Sequence, residues 1–155
     1  MTWKFVEHTG IYSVDNAQLE LFFGTKRDVL RKLLHYDAAK NEGRFANEDS
    51  YEQLLGNEED WIRLGFNDYN ELESVEVLDG IVIIGKTEVE IFADMEETLA
   101  ELDEQGFDFE ETELGYTDFR SHIDLGDSAL NGDEVSEVCW FYTAVNFDHL
   151  LPSEE

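Results

Sequence analysis

The chain has 155 residues, of which 42% are hydrophobic and 13% aromatic, and 38 acidic residues against ten basic ones give a formal net charge of −28. This apolar content is enough to form a core, which excludes a disordered acidic tail, and the acidity excludes the basic footprint that direct binding of nucleic acid or a membrane surface requires. With one cysteine, no signal peptide pattern and no membrane-spanning run, the sequence predicts a cytoplasmic protein of one domain, residues 1–155.

The first third of the chain predicts a strand, a helix and then a hairpin. Residues Gln18 to Phe23 alternate between apolar and polar and are rich in strand formers. Gly24 ends this strand, and Thr25 is predicted to cap a helix from Lys26 to about Tyr36. Two further strands are predicted at Trp61 to Phe66 and Leu72 to Leu78, with the turn-forming sequence NDYNE between them.

Residues 37 to 60 are the least patterned part of the sequence. They permit a short helix near Ser50 to Leu55 and otherwise read as a long loop. Loops of this length are either functional or mobile.

The later part of the chain repeats the order of strand, helix and strands. A strand is predicted at Val89 to Phe92, followed by a helix that Asp94 caps with Glu97 three residues on, and Gly106 ends this helix. Three further strands are predicted at Phe107 to Glu113, Thr117 to Leu125 and Glu134 to Thr143.

Two segments match at an offset of 70 residues: Gly10-Ile11 with Gly80-Ile81, and LELF at 19–22 with VEIF at 89–92. The match predicts a duplicated β-α-β-β unit, with repeats at about 10–79 and 80–145, although any two amphipathic units of this kind look alike. The predicted fold is α+β, a mainly antiparallel sheet with two main helices on one face and the other face at least partly open.

Motifs for catalysis are absent from the sequence. No two histidines lie four residues apart on a predicted helix, and no nucleotide-binding or nucleophile-elbow motif occurs. Cys139 lies in an apolar run and reads as a structural thiol, and His122 is predicted on a half-exposed strand. We therefore predict no enzyme activity, no cofactor and no metal, although the acidic loop from Asp124 to Glu134 leaves cation binding open.

The acidic residues are unevenly distributed along the chain. Residues 1–50 hold seven basic and eight acidic residues, whereas residues 51–155 hold three and thirty. In the second helix Asp103 and Glu104 oppose the helix dipole, and Glu97 repels Glu101. The second helix and the open sheet face are predicted to form one acidic binding surface, comprising Glu88, Glu90, Glu96, Glu97, Glu101, Glu104, Asp108 and Glu110. Apolar anchors within it are predicted from Tyr69, Tyr116 and Phe119.

Two resemblances to known families add to this interpretation. The pattern LELFFGTKRDVLRKLL followed by WIRLGFNDYNELESVEV resembles small bacterial domains of the outer-membrane-assembly lipoprotein (BamE/SmpA-like) type. No lipidated N-terminal cysteine is present, so that role is not expected here. In its physical character the chain is similar to small acidic bacterial toxin-immunity proteins, including those of contact-dependent inhibition systems, which implies a protein-binding role.

The sequence thus predicts an acidic protein-binding module that neutralises a basic partner, in the first place an immunity protein that blocks a nuclease-type bacterial toxin. A DNA-mimic inhibitor of nucleic-acid-binding proteins is one alternative. An acidic domain of a salt-adapted organism with no toxin partner is another, and an enzyme with unfamiliar carboxylate chemistry is a third. The sequence leaves the oligomeric state open.

Overall fold

A computed structural model describes residues 1–16 and 18–147 of the chain. The helices are α1 Arg27–Leu33, α2 Ala38–Asn41 and α3 Met95–Glu104, with short 3₁₀ turns at Leu54–Gly56 and Ser128–Asn131. The strands are β1 Thr2–Val6, β2 Gly10–Ser13, β3 Glu20–Phe22, β4 Glu48–Tyr51, β5 Trp61–Phe66, β6 Leu72–Asp79, β7 Ile81–Ile84, β8 Thr87–Glu90, β9 Glu110–Glu111, β10 Gly115–Asp118, β11 Ile123–Asp127 and β12 Val138–Ala144.

The strands form two sheets. A five-stranded sheet has the order β3-β2-β1-β7-β8, and a seven-stranded sheet has the order β4-β5-β6-β12-β11-β10-β9. Neighbouring strands are antiparallel except for β1 and β7, which are parallel. The predicted α+β class with mostly antiparallel strands is therefore confirmed.

The single sheet with two helices on one of its faces is not confirmed. The chain leaves the seven-stranded sheet at the end of β6 and enters the five-stranded sheet at β7. Gly80 makes this transition at a φ of 121°, and a Cβ atom there would lie 3.2 Å from an oxygen of the buried Asp60. Only glycine adopts such a backbone at no steric cost.

The two sheets share one core. Trp3 and Phe5 of β1 point inward from the five-stranded sheet, and Phe5 meets the ring of Phe141 on β12 edge-on, with ring centroids 5.8 Å apart. The helices contribute Leu30 from α1 and Leu102 from α3 to the same buried cluster. This arrangement buries one face of each sheet, as alternating strands require.

Several predicted elements have different bounds in the structure. The strand at Trp61–Phe66 is confirmed, and the strand that begins at Leu72 extends one residue further, to Asp79. The predicted strand from Thr117 to Leu125 is wrong, because His122 adopts a φ of 56° and turns the chain between β10 and β11. The strands β1, β2 and β7 were not predicted, and of the strand predicted at Phe107 to Glu113 the structure retains Glu110–Glu111.

The two helix caps also differ from each other. Thr25 does not cap α1; its hydroxyl donates to the carbonyl of Phe22 at 2.8 Å, and the helix begins after Lys26 without a side-chain cap. The prediction of a short helix near Ser50 to Leu55 is wrong, because the end of β4 and the start of a 3₁₀ turn occupy that stretch. The cap of α3 is as predicted, because an oxygen of Asp94 accepts from the backbone N–H of Glu97 at 2.9 Å.

None of the described helices has the length and apolar character to cross a membrane.

Candidate functional site

The predicted binding residues lie on three consecutive parts of the chain. Glu88 and Glu90 are on β8, an edge strand of the five-stranded sheet, and Glu110 is on β9, an edge strand of the seven-stranded sheet. Between them lie Asp108 and the α3 residues Glu96, Glu97, Glu101 and Glu104. All eight carboxylates are exposed, and we call them the acidic surface.

Hydrogen bonds hold α3 between these two edges. Gln105, directly after α3, accepts from the backbone N–H of Lys86 at 2.7 Å and donates to the hydroxyl of Thr87 on β8. On the other side, the backbone N–H of Asp108 donates to Asp118 of β10 at 3.0 Å. The acidic surface is therefore carried by elements that are fixed to one another.

The spacing of apolar residues forces the carboxylates of α3 outward. Met95, Thr98 and Leu102 are buried and lie on one face at helical spacing. The exposed residues of the helix are then five carboxylates and Ala100, with no basic residue in the last turn to offset the helix dipole.

The ion pairs among the described residues all lie in residues 1–80, where six of 17 carboxylates are paired. In the part of the chain that the structure describes, the carboxylates in ion pairs are Glu7, Glu48, Asp49, Asp60, Glu71 and Glu76. All of them lie in residues 1–80, which we call the first half. The second half, residues 81–147, holds 18 carboxylates with Lys86 and Arg120, and none of these carboxylates is within 4.0 Å of a described cationic group.

Asp49 illustrates how the first half compensates its charge. An Nη atom of Arg27 lies 2.7 Å from an oxygen of the buried Asp49 carboxylate, and an Nη atom of Arg31 lies 2.8 Å from the same oxygen. Burial by itself would raise the pKa of Asp49, but the hydrogen bonds from Arg31 and Arg27 outweigh it and hold this pKa below its usual value.

Buried carboxylates of the second half have neutral donors instead. Asp118 accepts from the backbone N–H groups of three residues, each at 3.0 Å. Asp124 accepts from the hydroxyl of Thr117 at 2.7 Å and from the indole of Trp140 at 3.0 Å. Asp127 accepts from the hydroxyl of Ser136 at 2.9 Å. These bonds satisfy the carboxylate oxygens but leave their negative charge in place.

Cys139 and His122, which were considered for chemistry, lie on and beside the seven-stranded sheet. Cys139 is half-buried on β12, and burial together with nearby carboxylates raises the pKa of its thiol to about 11, which disfavours the reactive thiolate. A ring nitrogen of His122 lies 2.9 Å from the carbonyl of Ala144, and its ring stacks on Phe147. Within residues 1–16 and 18–147, no three His, Cys, Asp or Glu side chains are placed to hold a metal ion.

One cavity of about 240 Å³ is lined by a carboxyl with an elevated pKa. Burial raises the pKa of Glu76, whereas burial of Glu48 is outweighed by hydrogen bonds from Arg44, which lower the pKa of that carboxyl. An Nη atom of Arg44 lies 2.9 Å from Glu48 and 4.0 Å from Glu76, and Arg63 reaches Glu76 at 3.1 Å. Structural ion-pair networks and functional sites both shift pKa values in this way.

The three predicted apolar anchors lie in different surroundings. Tyr116 is half-buried with its hydroxyl 3.3 Å from Glu111, and Phe119 is half-buried in the turn after β10. Tyr69 is 77% exposed, but it lies in the β5–β6 turn of the first half, where Lys26 donates to its carbonyl at 3.3 Å. The structure therefore does not bring Tyr69 to the acidic surface.

The sequence patterns did not identify Phe92 as an exposed aromatic residue beside the carboxylates of the acidic surface. Phe92 was predicted as the last residue of a strand, but it sits in the turn between β8 and α3 and is 57% exposed. Its neighbours Glu90, Asp94 and Glu96 are all exposed. The sequence match at an offset of 70 residues aligns Phe92 with Phe22, which ends β3 and is half-buried, whereas Phe92 lies in a turn and is exposed.

No family model matches the chain, and neither the curated proteins nor the solved structures yield a match. We therefore infer the function from the acidic surface and its surroundings.

Proposed function

We propose that the acidic surface binds a basic protein partner, and that the chain is an immunity protein which neutralises a nuclease-type bacterial toxin. The observation that carries this proposal is the division of ion pairs. Six of the 17 carboxylates in the first half pair with cationic groups of the chain, whereas the eight carboxylates of the acidic surface are exposed and none of them lies within 4.0 Å of a described cationic group. An external cationic surface would supply the missing charge.

Electrostatics explains why such a surface suits a toxin inhibitor. A nuclease presents a basic face where it contacts the phosphates of its substrate. A carboxylate-rich surface is attracted to that face over distances of about the Debye length, roughly 8 Å at physiological salt. Charge complementarity speeds encounter and disfavours unsuitable partners. Occupying the basic face would block access of the substrate.

The uneven charge favours a dedicated partner over general acidity. Adaptation to salt would usually spread carboxylates over the whole surface, whereas the first fifty residues are nearly neutral. Carboxylates on the edge strands β8 and β9 also discourage other strands from pairing there, which is a structural benefit of the same residues. Edge protection does not account for the exposed glutamates on α3.

We also infer that the two halves arose by duplication. Each half supplies a hairpin, a helix and three strands in the same order: β2–β3, α1 and β4–β6, then β7–β8, α3 and β10–β12. The three-strand groups meet at β6 and β12 in the middle of the seven-stranded sheet. On this proposal, a common ancestor supplied the fold and the copies later diverged in charge.

The proposal predicts that charge reversal on α3 weakens association. The variant with Glu97, Glu101 and Glu104 all changed to Lys should associate at least about tenfold more slowly with a purified nuclease toxin domain encoded beside this gene. The measurement is stopped-flow association at low and high salt, together with protection of DNA from cleavage. The matched control changes Glu52, Glu58 and Glu59, which are exposed in the first half, to Lys.

Each outcome of this experiment has a distinct meaning. An unchanged association rate would remove α3 from the interface. Equal inhibition of several unrelated DNA-binding proteins would favour the DNA-mimic alternative. If no basic protein is bound even at low salt, the proposed function fails.

A further inference from the structure

Phe92 occupies a backbone position that suits glycine. The N–H of Ala93 donates to the carbonyl of Glu90 at 3.1 Å, which closes a turn with Phe92 as its third residue. The φ of Phe92 is 79°, in the left-handed region. Turns of this shape favour glycine at the third position, because a bulky side chain is strained there.

Folding removes little of the Phe92 ring from water, so the burial of the ring offsets little of this strain. Phe92 is 57% exposed as a residue, whereas its chain neighbour Ile91 is 6% exposed and belongs to the core. A residue that is both strained and exposed contributes little to stability. The reason for an aromatic ring at this position is therefore to be sought outside the folded chain.

The first half shows repeatedly what this protein does with an aromatic ring beside a carboxylate. Four arginines lie over aromatic rings, with distances from the guanidinium carbon to the ring centroid of 3.9 to 5.6 Å, and each also pairs with a carboxylate at 2.7 to 3.1 Å. The sets are Arg27 with Phe66 and Asp49, Arg31 with Tyr36 and Asp49, Arg44 with Phe45 and Glu48, and Arg63 with Trp61 and Glu76.

Phe92 is an exposed aromatic residue with acidic residues near it in sequence and no arginine over its ring. Glu90 and Glu96 flank it and are exposed. Among the described residues no cationic group lies over its ring, and the second half has just Lys86 and Arg120 as basic residues. Phe92 is thus an exposed ring with exposed carboxylate residues two positions before it and four positions after it, and no described arginine lies over it.

We propose that Phe92, with Glu90 and Glu96, receives an arginine side chain of the basic partner. The planar guanidinium would stack on the ring while its N–H groups donate to the two carboxylates. Arginine is favoured over lysine, because lysine has no flat face and cannot donate in a fork. This inference rests on the proposed function and names the side chain that the acidic surface recognises.

Two peptides of equal length and charge test the proposal: one alternates arginine with glycine, the other lysine with glycine. Calorimetric titration at low ionic strength should show that the wild-type chain prefers the arginine peptide. Phe92→Leu keeps an apolar side chain without the π-face, and it should weaken arginine-peptide binding about three- to tenfold and remove the preference. Phe92→Trp should retain the preference.

A matched control and a stability measurement accompany these variants. Phe45→Leu alters a ring that is 64% exposed and already covered by Arg44, so peptide binding should stay unchanged. Phe92→Gly relieves the turn, so its melting temperature should equal or exceed that of the wild type while arginine binding falls as in Phe92→Leu.

The outcomes separate this inference from the proposed function. If both peptides bind equally well and Phe92→Leu changes neither affinity, the arginine site is wrong while a basic partner still stands. If charge reversal on α3 also leaves both affinities unchanged, or if neither peptide binds, the proposed function is contradicted as well. A lower melting temperature for Phe92→Gly would show that the ring serves the fold instead.

Discussion

The two halves of this protein keep carboxylates in the interior by different means. In the first half Asp49 is buried between Arg27 and Arg31, so its charge is cancelled within the molecule. In the second half Asp124 is buried against a hydroxyl and an indole N–H, which satisfy its oxygens but cancel nothing. The buried Asp49 of the first half therefore has its charge compensated within the chain, whereas the buried Asp124 of the second half does not.

This difference separates stability from recognition. Arginines bound to their own carboxylates are unavailable to a partner, whereas uncompensated carboxylates attract an external cation. The cost in the second half is mutual repulsion, which is modest because most of these charges are exposed to water. Four substitutions at three places test this difference between the halves, from the largest expected effect to the smallest.

Removing the carboxylate of Asp49 should have the largest effect. Asp49→Ala leaves the partly buried guanidinium groups of Arg27 and Arg31 without their partner, and breaking a buried pair costs about 3–5 kcal/mol. Urea unfolding measures this loss. Because the folded pKa of Asp49 is below its unfolded value, its contribution is present above about pH 4 and is lost as the pH falls below that value. The difference between variant and wild type should shrink accordingly.

A matched control for Asp49 is Glu71→Gln. Glu71 pairs with Lys26 at 3.6 Å, and the Lys26 side chain is 54% exposed. Exposed pairs contribute about 0–1 kcal/mol, so this variant should unfold nearly as the wild type does. Equal losses in the two variants would contradict the idea that burial makes the first half depend on its ion pairs.

Asp124→Asn should have a smaller effect than Asp49→Ala. The amide can still accept from Thr117, but its NH₂ group cannot accept from Trp140, and an unsatisfied indole N–H costs about 1–2 kcal/mol. Chemical denaturation measures the loss, with the exposed Asp133→Asn as a neutral control. A loss as large as that of Asp49→Ala would mean that the charge of Asp124 is itself stabilising, contrary to the contrast between the halves.

The smallest effects are expected on α3, and they should have opposite signs at its two ends. Glu104→Lys places a cation in the last turn and should stabilise the fold by about 0.3–0.5 kcal/mol, whereas Glu96→Lys in the first turn should destabilise it by a similar amount. Thermal melts at low salt measure both changes. High salt should diminish both, and a difference that persists there would point to packing instead of charge.

The site was predictable to the extent that local patterning governs it. The alternation of β8 and the helical spacing of α3 placed Glu88, Glu90 and the glutamates of α3 at exposed positions, as the structure has them. Local patterning failed for Tyr69 and Phe92. Which apolar residue lies among the carboxylates depends on how turns from distant strands are arranged, and sequence spacing does not encode this.

By itself, the sequence determined the strand and helix types wherever periodicity and caps agree, as in β5, β6 and α3, because these depend on neighbouring residues. It also determined the uneven distribution of charge. Only the tertiary structure decided that the strands divide into two sheets, since that depends on the turn at Gly80 and on the long-range pairing of β1 with β7. Only the tertiary structure, too, showed which carboxylates have arginine partners, because Asp49 meets Arg27 and Arg31 through packing across some twenty residues of chain.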